Sequence, residues 1–297
     1  MELNKLQLMR STEYRLLGDI IVHQPTLNEI ASFSDDGKGY EKFMMLVNTM
    51  ILTPADIADI LWVENQIIYT DFASDWDFFI SRAFSDGEDI EIKEMYEGEI
   101  IINTGRCANA IVEQAINYFF NRKGHYVFIT DNQNVGKEVP SVIYLLNVGD
   151  NGEIIDDGFK FGEPLYHLLV KFLNTITWNN GVPFFMQELK SKNPSSNIKI
   201  GNKRLLKALL ESAYKKRNSK QKNSVTFDSI VSALIAEQHN NEQIWNFPLY
   251  LVYDQYYRIS KIKTYSETMA ALNSGCYDTK KHPINWEKID WASVINI

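Results

Sequence analysis

Apolar and polar residues follow one another along this chain in two rhythms, one of two residues and one near 3.6. They trade places often enough to predict a mixed fold. Tyr14-Arg-Leu-Leu17 and Ile20-Ile-Val22 are short apolar runs around Gly18-Asp19, a pair suited to a tight hairpin turn. Pro25 ends the extended run. Thr26-Leu-Asn-Glu29 has capping-box spacing, in which the Thr hydroxyl and the Glu carboxylate satisfy free amides at a helix start, so a short helix is predicted over 27–33. Asp35-Asp-Gly-Lys-Gly39 reads as a turn before a helix across 40–50, with Phe43, Leu46, Val47 and Met50 on one face. Thr53-Pro-Ala-Asp56 and Ser74-Asp-Trp-Asp77 are further helix starts, predicting helices over 54–62 and 74–84. In the latter, Trp76, Phe79, Ile80 and Phe84 recur at helical spacing.

The stretch 86–99 carries seven carboxylates, and Ile90, Ile92 and Ile100-Ile-Ile102 suggest strands at a solvent-facing edge. A helix over 105–121 follows, with Ala108, Ile111, Val112, Ala115, Ile116, Phe119 and Phe120 as its buried stripe. Residues 125–130 and 141–146 read as strands, while Asp150-Asn-Gly-Glu153 and Asp156-Asp-Gly158 read as turns. Helices are predicted over 164–175 and in short pieces through 189. Past polar 190–197, a basic helix and a flexible linker lead to a compact helical module over 226–238, 242–261 and 264–274. The fold class is therefore α+β: a mixed N-terminal domain over 1–200, a basic helix and linker over 201–223, and an all-helical C-terminal module over 224–297.

Composition narrows the class of protein. A chain of 297 residues with 45% hydrophobic and 23% charged content can bury a large core. Its 15 Tyr, 16 Phe and 6 Trp argue against long disorder. No run reaches the roughly 18 apolar residues that a membrane span requires. The opening charges Glu2, Lys5 and Arg10, with no apolar stretch behind them, do not form a secretory signal. Cys107 and Cys276 read as reduced cytosolic thiols. A net charge of −8 argues against nucleic acid and anionic lipid as partners. The local exception is 203–222, with eight basic residues against the single acid Glu211; Lys215, Lys216 and Arg217 there are candidates for docking an acidic surface, or simply a solvated linker.

Catalytic chemistry finds little purchase. Gly37-Lys-Gly39 and Gly136-Lys137 lack the spacing and the Ser or Thr of a phosphate loop. The five histidines are dispersed, so no metal site is expected, and no cofactor is expected either. Asp75 with Asp77 and Asp156 with Asp157 sit where carboxylates cap helices and turns. Cys107 has no identifiable base. These observations point to a non-enzymatic binding factor, with an enzyme whose site is assembled from dispersed residues as the competing class.

The most pointed pattern lies near the end. Ser224-Val-Thr-Phe-Asp-Ser-Ile-Val-Ser-Ala-Leu-Ile-Ala236 is followed by Ile244-Trp-Asn-Phe-Pro-Leu-Tyr-Leu-Val-Tyr-Asp-Gln-Tyr-Tyr-Arg-Ile259. Trp245, Leu249, Tyr250, Tyr253 and Tyr257 recur at three- and four-residue spacing, which marks a helix packed in a core. Tyr and Trp also suit interfaces, because they bring large area at low entropy cost. Trp245, Tyr250, Tyr253, Tyr257 and Arg258 are thus candidate partner-binding residues.

This "Trp, then a tyrosine-rich helix ending in an arginine" resembles the ending of tail assembly chaperones and related tail-morphogenesis proteins of bacteriophages. Ser274-Gly-Cys-Tyr-Asp-Thr-Lys-Lys281, Ile289-Asp-Trp291 and the opening Gln24-Pro-Thr-Leu-Asn-Glu-Ile30 resemble proteins of Gram-positive phage and prophage tail regions. The resemblance spans about the first sixty and last seventy residues and leaves about 90–200 without a counterpart. It implies a cytoplasmic protein of the bacterial host cell that binds tape measure and tail tube proteins and has no catalytic residues. Self-association and a permanent place in the virion, in the tail or baseplate, are the alternatives within that class.

Overall fold

A computed structural model describes residues 3–34, 37–52, 74–84, 104–106, 110–122, 125–130, 142–148, 154–178, 225–237, 241–275, 279 and 283–286. The predicted helix over 54–62, the strands at 90–102, the turn over 150–153, the short helical pieces over 179–189 and the whole 201–223 segment lie outside the described residues. So do both cysteines.

The chain opens with helix α1 (Lys5–Arg10), capped by the Asn4 side chain, which accepts the Leu6 and Gln7 amides. Strands β1 (Glu13–Leu17) and β2 (Ile20–His23) form the expected antiparallel hairpin, and Gly18 takes a φ of 55° in its turn. The alternation of β1 buries Tyr14 and Leu16 and leaves its other residues in solvent. Helix α2 (Leu27–Ser32) begins with the capping box read from the sequence. The Thr26 hydroxyl accepts the Glu29 amide, and the Glu29 carboxylate accepts the Thr26 amide. Helix α3 (Gly39–Ile51) buries Phe43, Leu46, Val47 and Met50 as its pattern required. Its first residue must be small, because a Cβ at Gly39 would collide with the Ile30 carbonyl oxygen of α2. Helix α4 (Asp75–Phe84) starts where Ser74 Oγ accepts the Asp77 amide.

Residues 104–106 correct the sequence reading. The helix expected from 105 begins instead at α5 (Ala110–Phe119), and Thr104–Arg106 is strand β3. Gly105 is a poor helix residue, and the 3.6-residue rhythm is carried by Val112, Ala115, Ile116 and Phe119, all buried. Ile111, expected in that stripe, is 40% exposed. It sits one position off the buried ridge. β3 pairs with β4 (His125–Thr130), which pairs with β5 (Val142–Val148) and then β6 (Ile154–Gly162), giving a four-stranded antiparallel meander. Asp156-Asp-Gly158, expected as a turn, lies inside β6. There the register shifts between Leu145 and Asn147, and Gly158 carries a φ of 65°, so the turn-like residues make a β-bulge.

Helix α6 (Glu163–Ile176) follows directly, with Pro in its first turn. Its Tyr166 stacks on Phe79 of α4 at 4.9 Å, while Trp76 and Phe161 close the same aromatic cluster. The C-terminal part is helical: α7 (Phe227–Glu237), α8 (Asn241–Ile244) and α9 (Leu249–Asn273). Two expected boundaries move. Pro248 lacks an amide hydrogen and disfavours helix in the residue before it, so the predicted 242–261 helix is broken there. Residues 261–264 contain no breaker, and α9 runs through them as one 25-residue helix. Leu234, Ile244, Leu249, Tyr250 and Val252 belong to the same apolar cluster as Leu8, Leu16, Leu27 and Phe43. Among the described residues no helix is long and apolar enough to cross a membrane. The architecture is α+β.

Candidate partner-binding site

The strongest concentration of aromatic residues around the helical end of the chain is a seam against α3 and α6. Phe227, the first residue of α7, stacks face to face on Tyr40 of α3, with centroids 3.9 Å apart and planes 9° off parallel. Tyr253 of α9 lies 6.0 Å from Phe227, and its hydroxyl is hydrogen-bonded to that of Tyr40. Trp178, just past α6, stacks on Tyr253 at 5.9 Å and leans on Tyr257 at 5.6 Å. Each such pair contributes about 0.5–1.5 kcal/mol beyond simple burial.

This arrangement sorts the four aromatic and basic candidates of the tyrosine-rich helix by role. Tyr250 and Tyr253 are buried. They face the core, as the helical spacing alone suggested, and offer nothing to a partner. Tyr257 is half-buried under Trp178, and the Lys261 ammonium lies over its ring. Arg258 makes a two-pronged pair with Asp254, Nε to Oδ2 at 2.8 Å and a second nitrogen to Oδ1 at 3.2 Å. That hydrogen-bonded pairing raises the Arg258 pKa. Asp254 is buried, so the guanidinium serves first to neutralise a buried carboxylate. Among the described residues the Tyr250 hydroxyl has no hydrogen-bond partner, and burial, then the Asp254 charge, pushes its pKa up to about 12. Lys215, Lys216 and Arg217 lie outside the described residues.

Trp245 is placed differently. Its backbone is pinned, since its carbonyl accepts the Asn28 amide at 2.9 Å, yet its indole is 36% exposed. The ring lines a groove of about 330 Å³, whose other walls come from α2 (Leu27, Ile30), from Tyr40 and from α7 (Phe227, Val231, Ile235). Helix α7 makes this groove because its apolar stripe is wider than its buried one. Ile230 and Leu234 point into the core, whereas Val231 and Ile235, one position on, remain half-buried at the surface. Asp228 and Ser232 are the polar lining side chains, and both are exposed. Sequence reading found Trp245 but missed its company. Val231 and Ile235 carried a signal, the broadened apolar face of 227–235, while Ile30 and Tyr40 reach the groove only through the tertiary fold.

A second polar cluster lies at the start of α2. His23 Nε2 sits 3.2 Å from a Glu29 carboxylate oxygen, and the His23 ring meets Tyr118 edge-on at 5.4 Å. Burial works to raise the Glu29 pKa, but hydrogen bonds from His23 and from the Thr26 amide outweigh it and hold the carboxyl below its usual value. Burial pushes the Tyr118 hydroxyl strongly upward, aided by the Glu29 charge. The cluster secures the α2 cap against β2 and α5.

No curated protein and no solved structure matches the chain. Residues 218–296, the part that carries α7, Trp245 and α9, are similar to the family described as the YomV second domain, a match that associates the chain with phage and prophage proteins.

Proposed function

We propose that the protein is a non-enzymatic phage assembly factor of the tail-chaperone kind, which holds tape measure and tail tube proteins during morphogenesis and leaves before the virion is complete. The observation that carries this reading is the coincidence of one segment with two properties. The segment similar to a phage-associated family is also the one that presents an exposed Trp and half-buried Val231 and Ile235 around an apolar groove. Binding surfaces gain most from aromatic anchors set in such a depression. Several of the aromatic residues that resemble a tail-chaperone ending hold this segment to the rest of the fold, so the groove is presented on a rigid base.

Co-expression with the tape measure protein of the same phage tests the reading. The tape measure protein is expected to stay soluble and to co-elute with this chain in gel filtration. A tape measure protein equally insoluble with and without the chain overturns the chaperone activity.

A further inference from the structure

We propose that the Trp245 groove is the seat of a cationic amphipathic helix from a partner protein, an inference that rests on the binding-factor reading and gives it a site and a ligand chemistry. The groove's walls are the flanks of α2 and α7 with Tyr40 and Trp245, largely apolar with Asp228 and Ser232 at the rim, and its volume of about 330 Å³ falls at the lower end of what binding pockets enclose. Helix flanks present ridges and furrows that receive side chains three and four residues apart on another helix. Extended backbone would gain less here, because the nearby Thr26–Pro248 bridge is already paired.

Charge selects the occupant's sign. Among the described lining residues Asp228 carries the formal charge, and it is exposed at the rim in the first turn of α7. The protein as a whole carries a net charge of −8. A helix whose apolar stripe is flanked by Lys or Arg gains an ion pair at Asp228 and is attracted at long range. An acidic helix is repelled on both counts. A second copy of this chain would bring its own negative charge to the same face.

The full-length protein is titrated with two labelled synthetic helices of identical leucine stripe, one with lysine and one with glutamate on the polar face, read by fluorescence anisotropy. The lysine peptide is expected to bind and the glutamate peptide to bind at least about tenfold more weakly. Val231→Arg, which fills the groove, and Ser232→Arg, which adds a bulky positive charge at its exposed rim and offsets that of Asp228, are each expected to weaken the lysine peptide about tenfold. Asp228→Asn should weaken it about two- to fivefold, as loss of an exposed ion pair does. Circular dichroism identifies any variant that has not folded, and Ser232→Arg, at an exposed position, keeps the test usable if Val231→Arg fails. Equal binding of both peptides, or lysine-peptide binding unchanged in folded variants, overturns the proposal. So does concentration-dependent dimerisation that Ser232→Arg abolishes while no peptide binds. Failure here with the tape measure protein still held soluble removes the groove as the site but leaves the assembly-factor reading standing.

Discussion

Gln24 and Tyr250 lie 226 positions apart in sequence, yet the Tyr250 amide donates to the Gln24 side-chain oxygen at 3.4 Å. The same buried amide donates through Nε2 to the carbonyls of Leu8 and Ser11. One side chain thereby joins α1, the Ser11 residue that caps its end and the first turn of α9. The bond is part of a wider exchange. Leu249 donates to the Pro25 carbonyl, while Leu27 donates to Phe247 and Asn28 to Trp245. The open amides at the start of α2 and of α9 are thus satisfied by each other's leading loops.

Gln24→Leu keeps the volume and removes all three hydrogen bonds, leaving buried backbone groups unpaired. A loss of about 2–4 kcal/mol is expected. Urea unfolding followed by circular dichroism measures it. A change within experimental scatter would mean that these groups find other partners.

Tyr253 offers a graded test of the aromatic seam. Tyr253→Phe removes the hydroxyl bond to Tyr40 while keeping the ring and should cost about 1 kcal/mol. Tyr253→Ala also removes the rings' contacts with Trp178 and Phe227 and should cost about 3–5 kcal/mol. Equal effects of the two substitutions would show that the ring packing contributes little.

Acid should loosen the α2 cap. The folded Glu29 pKa lies below its ordinary value of 4.5, so its contribution is fully present above about that pH and is lost as pH falls through the lower folded value. Thermal melts of the wild type and Glu29→Gln should therefore differ at neutral pH and converge in acid. A difference that persists or grows as the pH is lowered contradicts the assignment.

Trp245→Ala is expected to separate binding from stability. The indole is part of no buried cluster among the described residues and should cost only about 1 kcal/mol in unfolding, whereas capture of the partner should fall about tenfold or more. Unfolding midpoints and pull-down yields on the same preparations check both halves.

How far the sequence reached depended on the range of the interaction. The Thr26/Glu29 capping box, the Gly18 turn and the stripe of α3 are local, and each is present as read. Errors arose where a distant partner overrode a local pattern. Thr104–Arg106 became a strand because β4 was there to pair with it, and Asp156-Asp-Gly158 became a bulge because β5 continued alongside. For the candidate site the aromatic spacing of 245–257 could not tell faces apart. Direction came only when Pro248 restarted the helix, turning Tyr250 and Tyr253 inward and leaving Trp245 before the break, at the surface. Ile30 and Tyr40 had no sequence signature of a groove shared with Trp245, since proximity across about two hundred residues is a tertiary property.

The most direct measurement is mass spectrometry on a tagged copy in its native host after phage induction, comparing proteins captured with the tag to those in purified particles. Tape measure and tail tube proteins should be captured, lost in Trp245→Ala, with this chain missing from the particles. Stoichiometric presence in particles would make it a virion component instead, and no phage protein in either fraction would contradict the account.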